Sequence, residues 1–146
     1  MRIETRARAR ALQALYAWEM RGGGGAGAGG ADGRNLDRVA SQVWDDLAVT
    51  PEERRLAGLL VREVSNAGSE LDSRLADLTT NWRLERLGAI ERSVLRLGAA
   101  ELMKGDTPPR VAIQEAVRLA ERFGTSASAK FVNGVLDAFA RQAGMI

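Results

Sequence analysis

TPPRVAIQEAVRLAERFGTSASAKFVNGVLDAF, residues 107–139, reads as two helices and the break between them. Thr107-Pro108-Pro109 is a start signal, because the fixed φ of proline suits the first turn of a helix. Val111, Ala112, Ala116, Leu119, Ala120 and Phe123 then recur with the helical period. Gly124 is expected to end this helix as a left-handed cap. Ser126 or Ser128 opens the next helix, whose buried face is Val132, Val135, Leu136 and Phe139. Phe131 falls at the margin of that face, beside Lys130 and the small Gly134 and Ala138. An aromatic there either completes the core edge or stacks a nucleic-acid base.

The same grammar extends upstream. Asn81 is a candidate cap for a segment from Leu84 to Met103, broken near Gly88, with Leu87, Ile90, Val94, Leu95 and Leu102 as its apolar stripe. Glu91 sits inside that stripe and Glu101 near its edge. A carboxylate on an apolar face is costly unless paired. Its partner is either one of the chain's arginines or a cation on another protein. Before this segment, Thr50-Pro51-Glu52-Glu53 combines a cap, a first-position proline and a capping-box glutamate. The helix it starts carries Leu56, Leu59, Leu60 and Val64, continuing to Leu71, Leu75 and Leu78. A shorter helix, Leu36 to Leu47, shows Leu36, Val39, Val43 and Leu47 on one face.

The first helix is expected from Thr5 to Met20, with Ala11, Leu12, Leu15 and Trp18 inward. Arg2, Arg6, Arg10 and Gln13 stack on the opposite side, and Arg8 lies toward the apolar side. Like charges in one stripe repel, so the stripe is either a solvated face or a contact for a polyanion. Next comes GGGGAGAGGADG, residues 22–33, holding eight of the sixteen glycines. Gly and Ala alone bury too little surface to offset the entropy of ordering. The stretch reads as a flexible linker. It is not a phosphate loop, since no Lys-Ser/Thr follows.

The whole is therefore all-α, because β-branched runs and period-two alternation are missing. A chain of 146 residues has room for one domain, 1–146. It contains no Cys and no His. That excludes disulfide scaffolds, thiol chemistry, imidazole bases and most transition-metal sites. No catalytic residue, metal ligand or cofactor site is expected. No apolar run is long enough for a membrane span, and no apolar signal core argues for export. The net charge is only +2, but it is unevenly placed: residues 1–21 carry +3 and the remainder −1. Of the 21 basic residues only Lys104 and Lys130 are lysines, and the arginine bias suits phosphate recognition.

Three blocks carry a resemblance. AIQEAVRLAERFGTSASAKFVNGVLDAFAR, the upstream NWRLERLGAIERSVLRLGAAEL and the opening RARARALQALYAWE together resemble the NusB family of transcription antitermination factors. The blocks stand in the family's order and span nearly the whole chain outside the Gly-rich segment. The resemblance implies a bundle of about six or seven helices in two small subdomains. It implies a non-enzymatic role: binding single-stranded boxA RNA of nascent ribosomal RNA leaders together with NusE, a small-subunit ribosomal protein. That complex joins the transcription elongation complex in the cytoplasm, and some members form homodimers that hide RNA-binding surface.

Matched residue by residue, the family's basic first helix corresponds to Arg6, Arg8 and Arg10, with Gln13 and Tyr16 in LQALY. The aromatic of KFVNG is Phe131, beside Lys130. Glu91 matches an acidic position of the central helix and is expected at a partner interface, with Arg92 and Arg96 as further RNA or partner candidates. The loop Gly124–Ser128 has no acidic residue where many relatives carry one, so an acidic contact at this loop is not carried over. Two other functions compete. NusB-like domains also head rRNA cytosine methyltransferases, whose catalytic domain and Cys nucleophiles are missing here. A helical protein-binding scaffold without specific RNA binding is distinguished by salt-dependent RNA affinity.

Overall fold

The computed structural model describes residues 2–22, 33–79 and 87–146. Among the described residues there are six helices and no strand: α1 (Ile3–Met20), α2 (Gly33–Asp46), α3 (Pro51–Leu78), α4 (Ala89–Lys104), α5 (Pro109–Phe123) and α6 (Ser126–Gln142). The linker expected at 22–33 falls almost entirely outside the described residues, as do the Asn81 cap and the Leu84 start. Two compact units result, Met1–Ser69 and Glu70–Ile146. The division falls beside Gly68, where α3 leaves helical geometry with φ 22 and ψ −106.

In the first unit α1 packs on α2. Ala11, Leu12, Leu15 and Trp18 are buried on α1 as the periodicity requires, and Leu36, Val39, Ala40 and Trp44 are buried on α2. Trp44 Nε1 donates to the Arg10 carbonyl at 3.0 Å, tying the two helices. Two expectations shift here. Leu47 lies past the end of α2 and is exposed. On α3 the inward stripe is Glu53, Ala57, Val61 and Val64, whereas Leu59 is exposed and Leu56 and Leu60 are half-buried. The stripe follows i, i+4 spacing from the capping glutamate, so smaller residues face inward and the larger leucines flank them.

In the second unit α4, α5 and α6 pack on one another. Val94, Leu95, Leu102, Ala112, Ala116, Leu119, Ala120, Val132, Val135, Leu136 and Phe139 are buried, and the Arg74 guanidinium covers the Phe139 ring at 4.1 Å. Val111, expected on the inward stripe of α5, is instead exposed. Gly98 permits the closest approach: a Cβ there would lie 2.6 Å from Leu136 Cδ1 and 3.2 Å from Ala116 Cβ. Gly124 is not the left-handed cap expected, having φ −122 and ψ −131. It is glycine for space, since a Cβ would meet the Ala120 carbonyl at 2.8 Å and Ser128 Oγ at 2.9 Å. The left-handed cap falls at Gly105, φ 80, which ends α4.

Candidate nucleic-acid interface

Helix α1 carries the first group of candidate residues. Burial of its alanine and leucine face turns Arg2, Arg6, Tyr16 and Met20 outward, with Arg10 and Gln13 half-buried between them. Arg6 is held from below. Its Nε donates to Glu53 Oε1 at 3.0 Å, and its side chain remains 45% exposed. Glu53 is only 7% exposed. Its other oxygen accepts the Thr50 hydroxyl at 3.0 Å, and its backbone N–H donates to Thr50 Oγ1 at 3.4 Å. Burial pushes this carboxyl up, but the hydrogen bonds from Thr50 and Arg6 and the charges of Arg6 and Arg10 outweigh burial and hold it below the usual carboxylate range. Glu53 is thus an anion at neutral pH.

Arg10 Nη1 donates to Gln13 Oε1 at 3.2 Å. The Arg10 Nε is buried without a hydrogen-bond partner. Arg6, Arg10, Gln13 and Tyr16 therefore make a polar edge running along α1, with two guanidiniums and a 38% exposed phenol ring. Arg8 does not join it. At 9% exposure it belongs to the inward side of α1, as its helical phase dictates.

The second unit carries the other group. Thr125 caps α6 and shares a reciprocal capping box with Ser128: Ser128 N–H donates to Thr125 Oγ1 at 3.1 Å, and Thr125 N–H to Ser128 Oγ at 3.2 Å. The Ser128 hydroxyl then donates to Glu91 Oε1 at 2.6 Å. Glu91 lies in the first turn of α4 and curls back over its cap. A Cβ on Gly88 would lie 2.4 Å from Glu91 Oε2. Of the two partners considered for Glu91, an arginine of this chain or a cation on another protein, the first is not what holds it here: its donor within the chain is this hydroxyl. This chain also stabilises the acid-free Gly124–Ser128 loop through hydroxyls and Glu91.

These contacts shape an open groove of about 400 Å³, lined by Leu87, Gly88, Glu91, Thr125, Ser128 and Phe131 among others. Phe131 is half-buried in its wall, and Lys130 next to it is exposed. Sequence reasoning assigned Glu91 and Phe131 to different partners, and the structure puts them in one groove. Arg92 is half-buried beside Glu91, with Nη1 donating to the Leu87 carbonyl. Arg96 lies elsewhere. It is 2% exposed and grips Asp72 through Nε–Oδ1 at 2.9 Å and Nη2–Oδ2 at 3.2 Å. This fork–fork pair turns Arg96 into the unit. Sequence reading missed the Glu53 carboxylate as a neighbour of Arg6; its capping-box position was the only local signal.

Among the described residues no group of three or more His, Cys, Asp or Glu is placed to hold a metal ion. Nor is any helix there long and apolar enough to cross a membrane.

The whole chain is similar to known proteins. The NusB family model matches residues 5–141. The transcription antitermination protein NusB of Anaeromyxobacter dehalogenans is 40% identical over 136 residues, covering 91% of this chain and 87% of that protein. NusB of T. maritima superposes with a TM-score of 0.78 at 30% identity, covering 94% of this chain and 90% of that one. A chain from the crystal structure of the antitermination factors NusB and NusE with double-stranded RNA superposes with a TM-score of 0.80 at 30% identity, covering 97% and 98% respectively.

Proposed function

This chain belongs to the NusB family of transcription antitermination factors, and from that premise we propose that it binds single-stranded boxA RNA of nascent rRNA leaders jointly with NusE. The observation that carries the reading is found in the second unit, where an aromatic, Phe131, stands in the wall of an open groove beside the exposed Lys130; the first unit by itself offers an exposed cationic edge on α1. Phosphates are neutralised by Arg6, Arg10 and Lys130. A base stacks on Phe131, and Gln13 and Tyr16 hydrogen-bond and pack along the strand. Single-stranded RNA recognition requires both elements, since charge supplies affinity and a π-face accepts unstacked bases. A similar chain comes from a crystal structure of NusB and NusE with double-stranded RNA, which supports NusE and RNA as partners.

Glu91 and Arg92, at the start of α4, face NusE in this reading, which brings the protein contact next to the RNA contact. Arg96 is left out because its guanidinium is committed to Asp72, and Arg8 contributes only if the first turn of α1 frays. The ternary complex then joins the elongation complex in the cytoplasm. A homodimer of this chain covers the RNA surface when NusE is absent. The role is one of binding, without catalysis or cofactor.

The test is co-purification with NusE, followed by titration with boxA RNA, a scrambled strand and a duplex. The expected result is a stable complex that prefers the boxA strand. With three cations on phosphates, the chain alone should show a log–log salt slope of about −2, at about 0.7 per single-strand contact. Failure to bind NusE, or equal affinity for boxA and scrambled RNA, refutes the proposal.

A further inference from the structure

We infer that Glu53, on α3, is a positioning residue for RNA binding: by accepting Arg6 Nε it fixes this arginine on the exposed edge of α1. The inference rests on the proposal above that Arg6 contacts RNA phosphate.

Four observations carry it. The first is reach. Glu53 lies 47 residues from Arg6 in sequence, yet the two meet at 3.0 Å, so this bond anchors the exposed side chain of one helix to the start of another. The second is asymmetry of burial, with Glu53 at 7% exposure and Arg6 at 45%. A surface ion pair is usually loose, because ordering two long side chains costs entropy. Here one partner is already immobile. The third is the immobility itself. Pro51 starts α3 and Thr50 holds the second carboxylate oxygen at 3.0 Å, so the acceptor is fixed before Arg6 arrives. The fourth is charge, since Glu53 is held in its anionic form at neutral pH by its neighbours.

An unanchored arginine must be immobilised when RNA binds, and immobilising one such side chain costs about 0.5–1.5 kcal/mol of affinity. Glu53 removes part of that cost in advance. A different role is conceivable on electrostatics alone, namely that Glu53 neutralises Arg6 and weakens RNA binding. The two have opposite signs. Positioning means that losing the acceptor weakens binding, and neutralisation means that losing the charge tightens it.

The experiment titrates a boxA RNA oligonucleotide against complexes of NusE with the full chain carrying Arg6→Ala, Glu53→Ala, Glu53→Asp, Glu53→Gln or the double change Arg6→Ala/Glu53→Ala. Circular dichroism and urea unfolding confirm that each is folded. Glu53→Ala should weaken binding about fivefold, within the roughly 2- to 12-fold that the ordering cost implies. Glu53→Asp keeps the charge but shortens the reach, and should weaken it similarly. Should Glu53→Ala not fold, Glu53→Asp carries the test. Glu53→Gln keeps an acceptor oxygen for Arg6 Nε but loses the charge assistance of that bond, and should weaken binding less than Glu53→Ala does. In the Arg6→Ala background, Glu53→Ala should have no further effect. If Arg6→Ala itself leaves boxA affinity unchanged, the assignment of Arg6 to RNA fails. If Arg6→Ala weakens binding but the Glu53 changes do not, or Glu53→Ala is equally harmful without Arg6, the positioning role is overturned. Tighter binding by Glu53→Gln and Glu53→Ala overturns it in favour of neutralisation.

Discussion

Truncating Phe131 to alanine separates a ring that serves RNA from a ring that serves the core. Phe131 is half-buried in the groove wall, whereas Phe139, eight residues further along α6, is fully buried beneath Arg74. A fully buried Phe→Ala change costs about 3–5 kcal/mol, so a half-buried ring should forfeit about 2 kcal/mol. In a chain of this size that lowers Tm by about 4–8 °C. Base stacking on an aromatic contributes about 1–3 kcal/mol per base. The NusE complex of Phe131→Ala should therefore bind boxA RNA about 5- to 150-fold more weakly. Urea unfolding gives the first quantity, and fluorescence anisotropy with labelled RNA at fixed salt gives the second. Phe139→Ala is the control: it should lose stability near the upper end of the buried range, about 4–5 kcal/mol, while its folded fraction binds normally. If Phe131→Ala behaves like Phe139→Ala, with a large stability loss and unaltered affinity of the folded fraction, Phe131 is a core residue.

Two further outcomes follow from buried charges. Arg96→Ala leaves Asp72 without its fork at a mostly buried position, and should cost about 3 kcal/mol of stability, the lower end for a broken buried pair; urea unfolding that shows less than about 1 kcal/mol would mean the pair is solvated. Its folded fraction should bind boxA as the unaltered chain does. Glu53 has a lowered folded-state pKa, so the folded state takes up its proton less readily than the unfolded state. Its contribution is complete above the ordinary carboxylate range and is lost as pH falls through that range and below it. The stability advantage over Glu53→Gln should therefore shrink between about pH 7 and pH 3.5, and an advantage that grows on acidification contradicts the assigned environment.

Much of the fold is legible locally. The inward faces of α1 and α6 follow from apolar spacing, and the starts of α3, α5 and α6 follow from Thr, Pro and Ser signals that act over one turn. Phe131 is readable as marginal because it lies roughly 90° around the helix from the centre of the face made by Val132, Val135, Leu136 and Phe139. What escapes the sequence depends on distant partners. Three leucines near the start of α3 outweigh Ala57 and Val61 in a hydropathy reading, although the phase set by buried Glu53 puts the smaller residues inside. Trp44 is invisible as a clamp until the Arg10 carbonyl is beside it. Arg96 looks like a surface arginine because Asp72 stands 24 residues away, across a break between helices. Glu91 looks as if it needs a cation, and its observed donor is a hydroxyl 37 residues later. Gly124 follows the same logic, since glycine is required there by crowding rather than by handedness.

The glycine at position 98 has a consequence for the width of the groove between α4 and α6. Gly98 meets Leu136, seven residues beyond Glu91 on α4 and eight beyond Ser128 on α6. At about 1.5 Å rise per residue, this crossing lies roughly 10–12 Å from the Glu91–Ser128 bond. Two helices pinned at two points along their length have a defined angle, with the crossing as pivot and the hydrogen bond as the far clasp. A methyl group added at the pivot moves the clasp end, where the groove opens. The spacing between Glu91 and Phe131 is then tuned by a residue that does not line the groove. Chains with the same surface residues can thus differ in the width of this groove through the volume of one buried side chain.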